Sequence, residues 1–381
     1  MFVFICACIA SANALGINLG NVLEAPTEGA WAPAAQEYYF ADYKQRGFTT
    51  VRVPVRWDNH TAQAAPYTID PSFMARVQQV VGWSLAQNLT TIINAHHDEC
   101  VEKKAHPAAL FAQATNNPSP PHTLSLPSLQ LDQRREKLWC VLRTTPVCSK
   151  SSRPLATSQL RPPAPQHPTA AKLPRYLAIW QQVAAAFAAA PTRLRFETLN
   201  EPTNLTIDQL NDMHAKVLPV MRAGGGNNAA REVYLVGLSW DGADWLLAHP
   251  DAVVFPPLPS GAADPHLRFE VHSYDPYQFC LQDPPSASSW GTPADVAAVE
   301  NRYKGLGAWA ASKGRALLMG ACGCFVKALS RADRLKWYAT VGQAVKLLPD
   351  EATIWDDDGD WKIYNRAERT WDEGVMSALG L

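Results

Sequence analysis

Short runs of β-branched and apolar residues alternate along the chain with longer stretches in which apolar residues recur every three or four positions. Runs of the first kind predict strands and runs of the second predict helices, so their alternation predicts repeated βα units around a parallel sheet. Eight strand runs stand at residues 15–20, 49–55, 90–96, 195–200, 232–238, 268–274, 315–321 and 352–356. Helical stretches between them include 71–86, 176–190, 207–222, 293–312 and 332–348. Eight such units imply a closed (β/α)8 TIM barrel. A doubly wound open sheet is the weaker alternative, because no GxGxxG follows the first strand and polar residues cluster after many strands, not at one switch point.

One segment breaks the alternation. Residues 107–173 carry eleven prolines, little apolar periodicity and mostly basic ionisable groups, with Asp132 and Glu136 the two acids among them. A loop of that length without secondary structure is exceptional in a compact domain, so the segment is expected to be disordered and to lie outside a single barrel formed by the rest of 15–381. Three readings stay open: a flexible insertion in the third βα loop, translated intronic sequence, or a basic, Pro-rich arm that binds a partner. The abrupt return of barrel-like pattern at Tyr176 favours the second.

Composition narrows the function classes. The 381 residues are 47% hydrophobic and 18% charged, enough material for a core. With 34 basic and 35 acidic residues the formal net charge is -1, which offers no general attraction to nucleic acid or to an anionic membrane. Eight cysteines are too sparse for a disulfide scaffold and lack paired CxxC spacing for zinc, so neither a metal nor a cofactor is expected. No apolar stretch approaches the ~20 residues of a membrane-spanning helix. At the start, residues 3–10 are apolar and Ala12-Asn13-Ala14 has the small-x-small form of a cleavage site, so residues 1–14 read as a signal peptide and the expected location is extracellular. The absence of Lys or Arg before the run argues the other way. Sequons at Asn59, Asn88 and Asn204 would then be glycan acceptors.

The chemistry-bearing residues gather at the C-terminal ends of the predicted strands. Asn18 and Asn21 follow the first, Arg52 and Arg56 the second, His96 and His97 the third, and Asn200-Glu201-Pro202 the fourth. Trp240 and Asp241 follow the fifth, His272 and Tyr274 end the sixth, and Trp355 ends the eighth. A barrel aims all of these at one mouth, where chemistry is built. A lone Arg or His at a strand end is more often a structural group; convergence from seven strand ends is hard to explain by stability. Trp31, Trp240 and Trp290 are candidate exposed indoles for stacking on pyranose faces, with ordinary packing the competing reading for each.

These residues carry a resemblance. GINLGNVLEAPTEG at 16–29, TVRVPVRWDNH at 50–60, IINAHHDE at 92–99, FETLNEP at 196–202, His272-Ser273-Tyr274 and IWDDDGDWKIYN at 354–365 follow, in order, the pattern of glycoside hydrolase family five. The chain looks most like the bacterial-type β-1,4-glucanases of that family. The resemblance implies a retaining β-glycosidase acting on a β-linked polysaccharide or oligosaccharide, glucan or mannan, working as a monomer. It assigns the general acid/base to Glu201 and a sugar 2-hydroxyl contact to Asn200. Arg52, His96, His272, Tyr274 and Trp355 would line the subsite at the scissile bond, and Asn21, Glu24 and His97 match further substrate contacts.

In one place the sequence departs from the family. The seventh strand should end in a Gly-Glu-Phe-Gly pattern bearing the nucleophile, and here it reads Gly320-Ala321-Cys322-Gly323. Ala321 occupies the nucleophile's position, and no acid occurs between Arg315 and Ser330. Retaining hydrolysis needs a second carboxylate about 5 Å from the acid to trap the oxocarbenium ion. Asp356 and Asp357 are weak substitutes on another wall of the barrel, and Cys322 a weaker one, since neighbouring side chains on a strand point to opposite faces. An anion ~3 Å from the developing cation is worth about 5 kcal/mol at an effective dielectric near 20, so its loss slows the first step by roughly 10⁴. Two functions are therefore expected to compete: a family-five hydrolase with crippled turnover, and a non-catalytic β-glucan- or mannan-binding barrel.

Overall fold

The computed structural model describes residues 15–97, 172–327 and 330–381. The signal-peptide expectation and, up to residue 171, the insertion fall outside the described residues. Lys172 and Leu173 fall inside them, and a helix already begins at Leu173.

Eight parallel strands close into a barrel in sequence order. They are β1 Leu15–Asn18, β2 Thr50–Val53, β3 Thr90–Asn94, β4 Leu194–Glu197, β5 Val233–Leu235, β6 Leu267–Ser273, β7 Leu317–Cys322 and β8 Ala352–Ile354. All eight predicted strands form, each trimmed at its C-terminal end or start where the chain leaves the ladder. Closure is made by β1 against β8, with Leu15, Gly16 and Ile17 paired to Ala352, Thr353 and Ile354. A short antiparallel pair, β9 Tyr364–Asn365 and β10 Thr370–Trp371, follows the barrel.

The helices around it are α1 Glu37–Arg46, α2 Pro71–Ala86, α3 Leu173–Ala186, α4 Ile207–Ala223, α5 Ala243–Ala248, α6 Tyr277–Cys280, α7 Pro293–Lys313, α8 Arg331–Ala344 and α9 Glu373–Leu379. Local chemistry sets their ends. Asp70 accepts the Ser72 N–H at 2.8 Å ahead of Pro71, which suits the first helical position, and fixes the start of α2 at the predicted residue. Thr206 with Gln209 and Thr292 with Asp295 form capping boxes for α4 and α7. α1 stops at Gly47, whose φ of 112° is open to glycine without strain.

Strand alternation divides the side chains into two sets. Ile17, Val51, Val53, Ile93, Phe196, Phe269 and Ile354 belong to the large apolar layer shared with the helices. Facing inward, Ile92, Tyr234 and Leu318 make a separate apolar layer across the middle of the barrel. Above and below that layer the interior is polar: Thr50, Arg195 and Arg268 lie towards the strand starts, and Asn18, Arg52, Asn94, Glu197 and Glu270 towards the strand ends. The C-terminal set sits directly under the barrel mouth. Among the described residues no helix is long and apolar enough to cross a membrane.

Candidate active site

The floor of the mouth is organised by Arg52. Its guanidinium, fully buried, makes a two-pronged ion pair with Glu197, Nε to Oε2 and Nη2 to Oε1 at 2.7 Å each. The same group donates to Asn200 Oδ1 at 2.8 Å and Asn18 Oδ1 at 3.0 Å, and its Nη2 lies 3.7 Å from Glu270. Asn94 donates to Glu197 Oε1 at 2.8 Å, with its amide also 3.2 Å from His96 Nδ1. One planar cation thus locks the side chains of β1, β2 and β4 and the residue before Glu201.

Glu201 stands on this platform with its side chain 26% exposed. Its φ is 49°, and Ser239, Trp240 and Asp241 opposite it also have positive φ, between 54° and 60°. Four consecutive or facing non-glycine residues in the left-handed region is strain of the kind held at working sites. Specific bonds hold it. The Glu201 N–H donates to Asp241 Oδ2 at 2.6 Å, and the His272 N–H donates to the Asp241 carbonyl at 2.7 Å.

The imidazole of His272 lies between two carboxylates, with Nδ1 2.8 Å from Glu201 Oε1 and Nε2 2.6 Å from Glu270 Oε1. Burial disfavours its charged form, yet the Glu270 and Glu201 carboxylates outweigh burial and push its pKa up to about 10. Burial drives the Asp241 carboxyl in the opposite sense from an exposed acid, well above the carboxylate range, with the neighbouring Glu270 charge adding to it. Room for Glu270 comes from Gly320 on β7: a Cβ there would overlap the Glu270 carboxylate.

Rings line one wall of the mouth. Trp355 stacks over His96 at 6.1 Å and 15°, His96 meets His97 edge-on at 4.4 Å, and His97 meets Trp31 edge-on at 5.8 Å. Across from them Tyr274 contacts Trp361 at 6.2 Å. Trp31 and Trp240 are exposed, as expected. Trp290 is not: it is buried and stacked on Phe279, so that expectation is corrected in favour of ordinary packing. Glu24 is fully buried, and its carboxylate accepts the backbone N–H groups of Asn21 and Val22, which turns it into a brace for the loop after β1. Burial raises its pKa to about 7. Asn21 reaches across to Asp357, 3.3 Å from its carbonyl and carboxylate.

At the end of β7 a register shift brings Ala321 opposite His272. Ala321 is buried. The thiol of Cys322 belongs to the outer apolar layer, within reach of the Thr353 carbonyl at 3.9 Å, and burial raises its pKa to about 12. It is a protonated thiol at neutral pH and points away from the mouth. Asp356 is paired with Arg366 at 3.0 Å and accepts the N–H groups of Ile363 and Tyr364. Asp357 accepts those of Gly359 and Trp361. Asp356 and Asp357 are therefore both engaged in holding their own loop.

Arg52, His96, Asn200, Glu201, His272 and Trp355 lie together around one mouth, joined there by Glu197, Asn94 and Glu270, which local sequence pattern does not single out. A signal for them exists: an acid or amide within a parallel strand buried on both faces needs a partner inside the protein.

A (β/α)8 barrel with buried carboxylates, an arginine clamp and a ring-lined mouth has the architecture of a glycosidase. The chain matches the family model for the cellulases, glycosyl hydrolase family 5, over residues 12–357, and belongs to that family. It is 30% identical to Endoglucanase H of Acetivibrio thermocellus over 374 residues, 96% of this chain and 32% of that protein. It is 26% identical to the Cellulase/esterase CelE of the same organism, covering 94% of this chain and 38% of that one. The chain thus spans about a third of the length of these curated relatives. In structure it superposes on a tri-modular GH5 subfamily 4 endo-β-1,4-glucanase from Bacillus licheniformis with a TM-score of 0.72 at 25% identity, over 98% of this chain and 60% of the other.

Proposed function

We propose that this barrel binds β-1,4-linked glucan across its mouth and retains the acid half of a retaining glycosidase, with hydrolysis crippled by the alanine at position 321. The observation that carries the reading is the pairing of Ala321 with His272 at the end of β7, beside Glu201, in a site where Asp356, Asp357 and Cys322 are all otherwise engaged. Glu201 is the general acid/base, Asn200 and His272 orient it and the sugar, and Trp31, Trp240 and Trp355 supply faces for pyranose rings. Polysaccharide degradation outside the cell is the setting this reading implies.

Binding needs no nucleophile. Calorimetry with cello- and manno-oligosaccharides is expected to give heat in the micromolar to millimolar range, and an absence of heat with any β-linked ligand overturns the reading. Beside it, an aryl β-cellobioside assay is expected to show turnover near background. Azide should accelerate that assay, because a small anion can enter the space beside Ala321, bond to the anomeric carbon and expel the phenolate, giving an inverted glycosyl azide. Heat on binding without any azide effect would favour a binding-only barrel.

A further inference from the structure

We propose that Asp241, Glu270 and His272 form a buried binding site for a divalent transition-metal ion of the zinc type. The inference does not rest on the glucan reading. Each of the three offers one ligand atom, and these atoms lie within 4.8 Å of one another. All three side chains are buried: His272 is 4% exposed, Asp241 1% and Glu270 not at all.

Two observations beyond the clustering point to a cation. Asp241 Oδ1 and Glu270 Oε2 are buried oxygens that accept no hydrogen bond, a condition rare in folded proteins and relieved by a positive ligand. His272 is also held the way a metal-binding imidazole is held. Its Nδ1 faces the Glu201 carboxylate at 2.8 Å, which fixes the proton there and directs Nε2 inward to the set. The bond from the His272 N–H to the Asp241 carbonyl, 2.7 Å, ties the two ligand-bearing segments together.

The ligand set must adjust to close on an ion. Nε2 and Glu270 Oε1 stand 2.6 Å apart, and ligands of a tetrahedral zinc ion stand about 3.3 Å apart. The ion takes the place of the proton on Nε2 and of the one that burial keeps on Asp241, and both leave to solvent through the mouth past Glu201. Two carboxylates and a neutral imidazole then balance a doubly charged ion, and one nitrogen with two oxygens suits zinc, manganese or cobalt better than calcium.

The test uses the whole chain and zinc alone, with no glucan present, so that its outcome is independent of the glycosidase reading. Calorimetry should give one ion per chain. Crystals of the parent protein soaked in zinc should show an anomalous peak about 2.0–2.2 Å from the three side chains. Asp241→Asn and Glu270→Gln, each checked for folding by circular dichroism, should weaken binding at least tenfold. No binding, an anomalous peak elsewhere, or undiminished affinity in a folded variant overturns the proposal. Should both variants unfold, the diffraction experiment on the parent decides.

Discussion

The two ends of the barrel interior hold the same kinds of residue in different balance. At the N-terminal end Arg195 and Arg268 face Glu232, Asp350 and Glu351, with Arg195 2.6 Å from Glu232 and Arg268 2.9 Å from Asp350. Buried Thr50 and Tyr234 complete the network, while Arg195, Arg268, Glu232 and Asp350 remain partly open to water. At the mouth end Arg52 and His272 face Glu197, Glu201, Asp241 and Glu270, and most of these are wholly buried. The first network sets two arginines against three acids and closes on itself, as befits stability at the bottom of a barrel. The second sets one arginine and one imidazole against four acids and leaves Asp241 Oδ1 and Glu270 Oε2 without a hydrogen bond in a dry interior. Oxygens held in this way suit a site that meets a positive partner, whether a sugar ring gaining oxocarbenium character or a metal ion.

Removing one cation at each end tests that contrast most severely. Arg52→Met leaves Glu197 without its two-pronged partner in a dry interior and is expected to cost about 3–5 kcal/mol in urea unfolding. A smaller, pH-dependent effect belongs to Glu24. Its folded pKa of about 7 lies above the ordinary 4.5, so folding penalises its charged form even with Arg366 and two N–H groups facing it. Its contribution is complete below pH 4.5 and is lost as pH rises through 7, at up to about 1.4 kcal/mol per pH unit. Glu24→Gln should flatten that part of the stability profile, and an unchanged profile would remove Glu24 from the account. The smallest effect is expected at the bottom of the barrel, where Arg268→Met breaks pairs whose partners are 11% and 22% exposed. Water screens them, and about 1 kcal/mol or less is expected. A loss equal to that of Arg52→Met would erase the distinction between the two ends.

The contrast also marks what the sequence could tell. Strand periods are short and the turn chemistry sharp, so all eight strands and the start of α2 at Pro71 were legible, the latter because Asp70 and Pro71 are unambiguous helix-start signals. α1 escaped because its Tyr38-Tyr39-Phe40 run does not separate an apolar face by spacing. Rim residues such as Glu201 and His272 were legible because they break an apolar run at its end. Glu197 and Glu270 were not, because an inward acid within a strand reads like the polar half of an exposed one until closure of the barrel is known. Trp290 shows the limit for aromatics: whether an indole faces sugar or Phe279 depends on tertiary packing that local pattern does not encode.

On the proposed function, the mouth lacks one carboxylate and little else. Parent protein, Ala321→Glu, and Ala321→Glu with Glu201→Gln should be compared on soluble β-1,4-glucan, each shown to be folded. The account predicts that Ala321→Glu raises hydrolysis by about 10⁴ or more over the parent and that the added Glu201→Gln abolishes the gain. Robust hydrolysis by the parent, or a folded Ala321→Glu protein no more active than the parent, would contradict it.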